Sequence, residues 1–369
     1  MKALALAVYA GPRARERLRQ HGLRPADVRV VPAAAGGAKG LALLPLDRFL
    51  FAHWLREASQ TVHLLGASIG AWRMAAACAA DPDAALADLT EDYITQSYPS
   101  APGKSPSPRV VSQVFRRKLE ERLGANAESL LAHPRYRLHV FTSRGRRLLH
   151  RPGRVRMPLG WMAAFAANAA SRRALGGWME RVVFSDPREA LPLPLSDFPT
   201  RQVALTCSNL SSAVLASCTI PFWLEAVQDV PGGPAGTYFD GGITDYHLHL
   251  PYASMDEGVA AGWGGGPGLV LYPHFGAHVV PGWLDKAWKR RHRASPALDN
   301  LVLLSPRPEW VQGLPGGKLP DRNDFRRYGE DHAGRQRVWR AVVSESQRLA
   351  DEFAELVRDG RPFEALPLA

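Results

Sequence analysis

Residues 28–80 read VRVVPAAAGGAKGLALLPLDRFLFAHWLREASQTVHLLGASIGAWRMAAACAA, and the order of elements within them decides the fold. The run at 28–32 (VRVVP) is short and apolar, the pattern of a strand buried on both faces, and it is delivered into a loop of small residues, AAAGGAKG at 33–40. Residues 41–58 then carry apolar side chains at helical spacing, with Pro45 expected as an irregularity near the start. A second buried strand is predicted at 61–65 (TVHLL), a sharp turn at 66–70, and an Ala-rich helix at 71–80. Strand, loop, helix, strand, turn, helix is the order of a parallel α/β sheet.

Outward from this stretch the same pattern continues. Helices are expected at 83–98 and 109–123, separated by a Pro- and Ser-rich linker, PSAPGKSPSP at 99–108. Strands are expected at 136–142, 181–184, 202–206, 238–240, 269–272 and 301–304. A helix at 210–219 is stopped by Pro221, and a long amphipathic helix spans about 330–358. With no internal repeat, the reading is one domain over residues 1–369, a three-layer α/β/α architecture around a mostly parallel sheet. An Arg-rich insert or lid occupies about 116–188.

The charge is concentrated in that segment. Of the 369 residues, 46% are hydrophobic and 22% charged, the balance of a globular protein rather than a disordered, collagenous or disulfide-built chain. The net charge is +11, and residues 116–188 alone hold fifteen Arg and one Lys against five acids, which is also +11. Such a segment suits an anionic partner. The alternative is a set of arginines on solvated faces. Three cysteines (Cys78, Cys207, Cys218) without ligand-like spacing suggest reduced thiols and a cytoplasmic compartment. Met1-Lys2 followed by ALALAVYA is too short for a signal sequence and reads as part of the fold, and no apolar run reaches the roughly 18 residues of a membrane span.

Three places carry chemistry. Gly66-Ala67-Ser68-Ile69-Gly70 is a GxSxG at a strand-to-helix turn, the context in which a tight bend exposes a serine hydroxyl and the helix start offers free amide groups to an oxyanion. The loop containing Gly36, Gly37 and Ala38 can present successive N–H groups to the same anion, and it lacks the Walker spacing and the dinucleotide fingerprint. Phe239-Asp240-Gly241-Gly242 sets an acid at the C-terminal end of a strand, where open α/β sheets place their sites.

Together these elements resemble the patatin-like phospholipase family of serine lipid acyl hydrolases. The resemblance implies Ser68 as nucleophile, Asp240 as its base, and an oxyanion hole at Gly36, Gly37 and Ala38. It also covers Ala216-Ser217-Cys218-Thr219-Ile220-Pro221, similar to the family's stretch upstream of its DGG, and in all spans residues 28 to about 246. Two departures stand out. Ala33-Ala34-Ala35 precede the glycines where the family usually has more glycine, and Thr244-Asp245-Tyr246 replaces an Asn pair before a proline. The implied reaction is two-step acyl transfer with no cofactor; no carboxylate-rich loop suggests a metal.

The apolar run at 157–170 (MPLGWMAAFAANAA) lies between arginines and can serve as a lid, a core helix or an interfacial helix. Its Trp161 and Phe165, with Arg172 and Arg173, are candidate contacts to substrate or to an anionic lipid surface at the membrane periphery. KAWKRRHR at 286–293 reads as a solvated helix face. Two other functions remain open: an α/β-hydrolase triad completed by His247, His249, His274 or His278, and a non-catalytic lipid-binding protein. No zinc spacing, helix-turn-helix or RNA-recognition motif supports nucleic-acid binding.

Overall fold

The computed structural model describes residues 4–98, 106–255 and 268–368. Met1-Lys2 and residues 99–105 of the expected linker lie outside them. In chain order the elements are β1 (Leu6–Ala10), α1 (Pro12–His21), β2 (Val28–Ala33), α2 (Leu44–Ala52), β3 (Val62–Ala67), α3 (Ile69–Ala77), α4 (Pro82–Thr95), α5 (Pro108–Leu119), α6 (Ala127–Leu131) and β4 (Tyr136–Gly145). There follow α7 (Arg156–Ala170), α8 (Arg172–Leu175), β5 (Met179–Ser185), β6 (Thr200–Ala204), α9 (Leu210–Ser217), β7 (Val227–Gln228), β8 (Thr237–Phe239), α10 (Gly242–Asp245), β9 (Leu269–Pro273), β10 (Leu301–Pro306) and β11 (Leu366–Pro367). A helix at His332–Val357 packs near the end of the chain.

The strand order is β11-β1-β10-β9-β2-β3-β4-β5-β6, with β8 joined to β4 and β7 to β8. From β10 to β4 every pairing is parallel, with Ala33 beside Gly66 and Ala67 beside Phe141. The flanks are mixed, since β1 runs antiparallel to β10, and β5 and β8 run antiparallel to β4. The architecture is thus a mostly parallel sheet between helical layers. Its central strands are mainly apolar because both faces are covered, with His63 of β3 and His139 of β4 buried among them. Alternate residues feed two cores: Val31, Leu64 and Leu271 on one side with α2, α3, α9 and Trp339, and Val30, Leu65 and Tyr272 on the other with Leu248 and Tyr252.

Three expectations change in detail. The helix predicted over 41–58 is divided: a 3-10 turn covers Gly37–Leu43, α2 begins at Leu44, and Pro45 sits in its first turn, where its missing N–H costs nothing. The N-terminal apolar run becomes strand β1. The segment 116–188 contributes β4 and β5 to the sheet; residues 116–135 before β4 are mainly helical, and between the two strands the chain leaves the sheet over 146–178, built mainly from α7 and α8. Several arginines of the segment 116–188 are paired with carboxylates from outside it: Arg122 with Asp88 and Asp92, Arg151 with Asp229, and Arg181 with Asp197 and Asp245.

Candidate active site

The elbow follows from close packing at β3 and α3. A Cβ on Gly66 would meet Ala71 Cα at 2.4 Å, and one on Gly70 would meet the Ala33 carbonyl oxygen at 2.0 Å, so the helix doubles back tightly over its own strand and against β2. Ser68, between them, is held at φ 56°, ψ −129°, a backbone state costing on the order of 1–3 kcal/mol for a residue with a side chain. All nine residues of α3 are buried. Its Arg73 is anchored by Asp47 of α2 through two hydrogen bonds of 2.6 and 2.8 Å, which fixes the helix beneath the nucleophile.

Asp240 reaches the serine from the other direction. β8 pairs with the far end of β4, Phe239 opposite Ser143, and the chain turns at Gly241, where a Cβ would strike the Phe141 carbonyl oxygen at 2.1 Å. Ser68 Oγ donates a hydrogen bond of 2.6 Å to Asp240 Oδ2, while the Gly242 amide donates to Oδ1 at 2.7 Å. No basic side chain is hydrogen-bonded to this carboxylate among the described residues. Burial therefore pushes its pKa up to about 6, against the smaller opposing effects of the Ser68 and Gly242 bonds and of the Arg322 and Lys286 charges.

Ser217 was not singled out within the ASCTIP stretch, yet it ties the parts together. Its hydroxyl accepts from the Ser68 amide at 2.8 Å and donates to the Phe141 carbonyl at 2.7 Å. Its own carbonyl accepts from the Gly241 amide at 3.0 Å. Ser143 likewise donates to the Asp240 carbonyl at 2.9 Å. Neither role has a local sequence signal, because each depends on which strand lies alongside.

Ser68 and Asp240 open into a cleft of about 980 Å³. Gly36 and Gly37 line it, Gly37 at φ 58°; the alanines at 33–35 need no positive φ, which is why they are tolerated in place of glycine. The Ala35 amide is committed to the Tyr246 carbonyl at 2.9 Å. Ala38 is buried in the core beside Leu41 and does not line the cleft. Trp161 and Phe165 of α7 do line it, Trp161 packed edge-on against Phe239 with centroids 5.1 Å apart and Phe165 53% exposed.

Other candidates go elsewhere. Arg172 is drawn inward, 3.4 Å from Asp245 and 3.8 Å from Asp285, because these buried carboxylates need cations, so it is not displayed to a lipid surface; Arg173 is exposed. None of His247, His249, His274 and His278 lines the cleft. His247 Nδ1 is engaged by the Val280 amide and the His278 carbonyl, and His274 Nδ1 by Gly276, so the geometry assembles no triad with Asp240. The 286–293 cluster is not merely a solvated face: Lys286 lines the cleft, and Arg291 bonds Asp285 at 2.6 Å and the Asn168 carbonyl of α7 at 2.8 Å. Among the described residues no group of three or more His, Cys, Asp or Glu is arranged to hold a metal ion, and no helix is long and apolar enough to cross a membrane.

Comparison with solved structures finds VipD from Legionella pneumophila, 12% identical, covering 95% of this chain and 71% of that one, with a TM-score of 0.38. The type III effector protein ExoU is 14% identical, covering 91% of this chain and 60% of that one, with a TM-score of 0.29. No curated protein matches the chain. The family model for patatin-like phospholipase matches residues 34–247, which begins before the glycine loop and ends just beyond the DGG. On that match over more than half of its length, the chain belongs to the patatin-like phospholipases, a family of lipid acyl hydrolases.

Proposed function

We propose that the protein is a serine hydrolase that cleaves fatty-acyl esters of lipids, of phospholipase A or lipase type, with Ser68 as nucleophile and Asp240 as general base. The observation that carries this is the 2.6 Å bond from Ser68 Oγ to a buried carboxylate that has no cationic hydrogen-bond partner, at the floor of a cleft lined by Gly36 and Gly37. A carboxylate with a pKa near 6 is a better proton acceptor than an ordinary one near 4, and it remains ionised at neutral pH.

In the first half-reaction Ser68 Oγ attacks the ester carbonyl carbon while Asp240 takes the hydroxyl proton. The carbonyl oxygen becomes an oxyanion facing the amides of the Gly36–Ala38 loop, where each aligned donor is worth roughly 3–4 kcal/mol. Collapse breaks the bond to the alcohol oxygen, which leaves with the proton from Asp240, and the acyl group stays on Ser68. Water then attacks the acyl-enzyme, giving one proton to Asp240; collapse returns that proton to Ser68 Oγ and frees the fatty acid. This scheme uses no cofactor.

The cleft opens among exposed apolar side chains: Met162 (60%) and Phe165 of α7, and Phe222 (66%) and Trp223 after α9. We read this rim, with the lid segment 146–178 of a single-domain chain, as the surface that meets a lipid interface, since acyl chains leaving a bilayer would otherwise cross water. The test is a fluorophosphonate probe. Labelling of the wild type that is lost in Ser68→Ala supports the reading, and no labelling at any pH between 5 and 9 overturns it.

A further inference from the structure

We propose that Lys39, Lys286 and Arg322 form an anion subsite at the mouth of the Ser68 cleft, which selects lipids of net negative headgroup charge over zwitterionic ones. This rests on the acyl-hydrolase reading above. All three side chains line the same cleft as Ser68 and Asp240. They come from separate segments: the glycine loop, the stretch after the 3-10 turn Trp283–Asp285, and the residue before the helix Asn323–Tyr328. Two of the three lie beyond the part of the chain that the family model covers.

These are the cations that line the cleft, and among the described residues none of them has an ion-pair partner. Arg73, Arg144, Arg181 and Arg291 are each paired with an Asp or Glu, whereas among the described residues Lys39, Lys286 and Arg322 form no ion pair. The other acid lining the cleft besides Asp240 is Asp321, and it is already matched by Lys318 at 2.9 Å. The cleft lining therefore carries more cations than carboxylates, with Asp321 acting on Lys39 and Asp240 on Lys286 only through space. Lys39 and Arg322 are among the charges that, after desolvation, bring the Lys286 ammonium down to about 8, so the three act within one field.

The aromatic rings on this side argue for discrimination as well as attraction. Lys286 stands over Tyr246 at 4.1 Å and near Trp283 at 5.6 Å, Arg322 over Trp223 at 5.8 Å, and Lys39 over Phe275 at 5.0 Å. A quaternary or primary ammonium headgroup needs a free carboxylate or an open aromatic face. Here those faces are taken by the protein's own cations. The wall from α7, with Pro158, Trp161, Met162 and Phe165, is apolar and suits the acyl chain. A phosphate with an uncharged or anionic remainder satisfies the cationic side, while a zwitterion brings a like charge to it.

Short-chain phospholipids presented as monomers, below their micellar threshold, separate this subsite from surface charge. For the wild type, kcat/KM is expected to be about tenfold higher on dihexanoyl phosphatidylglycerol than on dihexanoyl phosphatidylcholine. The ratio falls to about one in the double variant Lys286→Gln/Arg322→Gln and below one in Lys286→Glu, mainly through KM for the anionic lipid. Binding is read independently on Ser68→Ala, by tryptophan fluorescence, with the same two lipids and with inorganic phosphate. Preferential binding of phosphatidylglycerol supports the subsite even if turnover fails, in which case the hydrolase reading alone falls. Equal binding of the two lipids overturns the proposal, and so does tight binding of phosphate without a lipid preference, which makes the trio a site for free anions.

Discussion

Asp240 and Asp245 lie five residues apart on the same turn, both buried, and they are treated in opposite ways. Asp245 is gripped by Arg181, whose guanidinium donates to it at 2.5 and 2.8 Å with both side chains fully buried, and Arg172 approaches from α8. Asp240 receives a serine hydroxyl and one amide. A buried carboxylate that holds architecture is compensated by a cation, because leaving it alone is costly. One left without such a partner is destabilised as an anion and is therefore a better base. Asp47, under the elbow, is likewise held by a cation, Arg73, although burial still pushes its pKa up.

The largest effect that tests this contrast is on turnover. Ser68→Ala and Asp240→Asn should each lower kcat by at least about 10³-fold on a soluble acyl ester, with far-ultraviolet circular dichroism unchanged. If Asp240→Asn retained a tenth of the activity, the unpaired carboxylate would not be the base. Next in size is the structural acid: Arg181→Met should destabilise the fold by about 3–5 kcal/mol in urea denaturation, since it strands Asp245 in the interior. A loss below 1 kcal/mol would make the two aspartates alike.

A smaller effect runs with opposite sign. The folded pKa of Asp240, about 6, lies above its ordinary value of 3.8, so the folded state binds the proton more tightly. Its contribution to stability is therefore greatest below pH 4 and declines as pH rises to about 6, and the ionised form at pH 8 costs about 3 kcal/mol. Asp240→Asn should accordingly stabilise the protein by about that amount at pH 8 and by little at pH 4, as read by urea denaturation. For the wild type, kcat/KM should rise about tenfold per pH unit below 6 and level off above it; a midpoint near 4 would mean that burial does not tune the base. The smallest effect concerns the elbow. Ser68→Gly should be about 1 kcal/mol more stable than Ser68→Ala, because alanine keeps the cost of positive φ and glycine does not.

The sequence by itself determined what is local. The run from Val28 to Ala77 contains strand, glycine loop, strand, GxSxG and helix in consecutive order, and covalent connection alone brings Ser68 to a strand-helix turn. Asp240 was legible for the same reason, as an acid followed by two glycines at a strand end. What only the tertiary structure decided are relations between segments far apart in the chain. Arg172 could not be known to face Asp245 and Asp285 rather than lipid, nor Ser217 to hold the Ser68 amide across 149 residues. The charge of segment 116–188 shows the reason most clearly. Summed along the chain it is an excess of +11, but electrostatics acts through space, and folding brings Asp88, Asp92, Asp197, Asp229 and Asp245 to its arginines. The cations that line the cleft are Lys39, Lys286 and Arg322, which the sequence scatters over 283 residues and the fold assembles around one site.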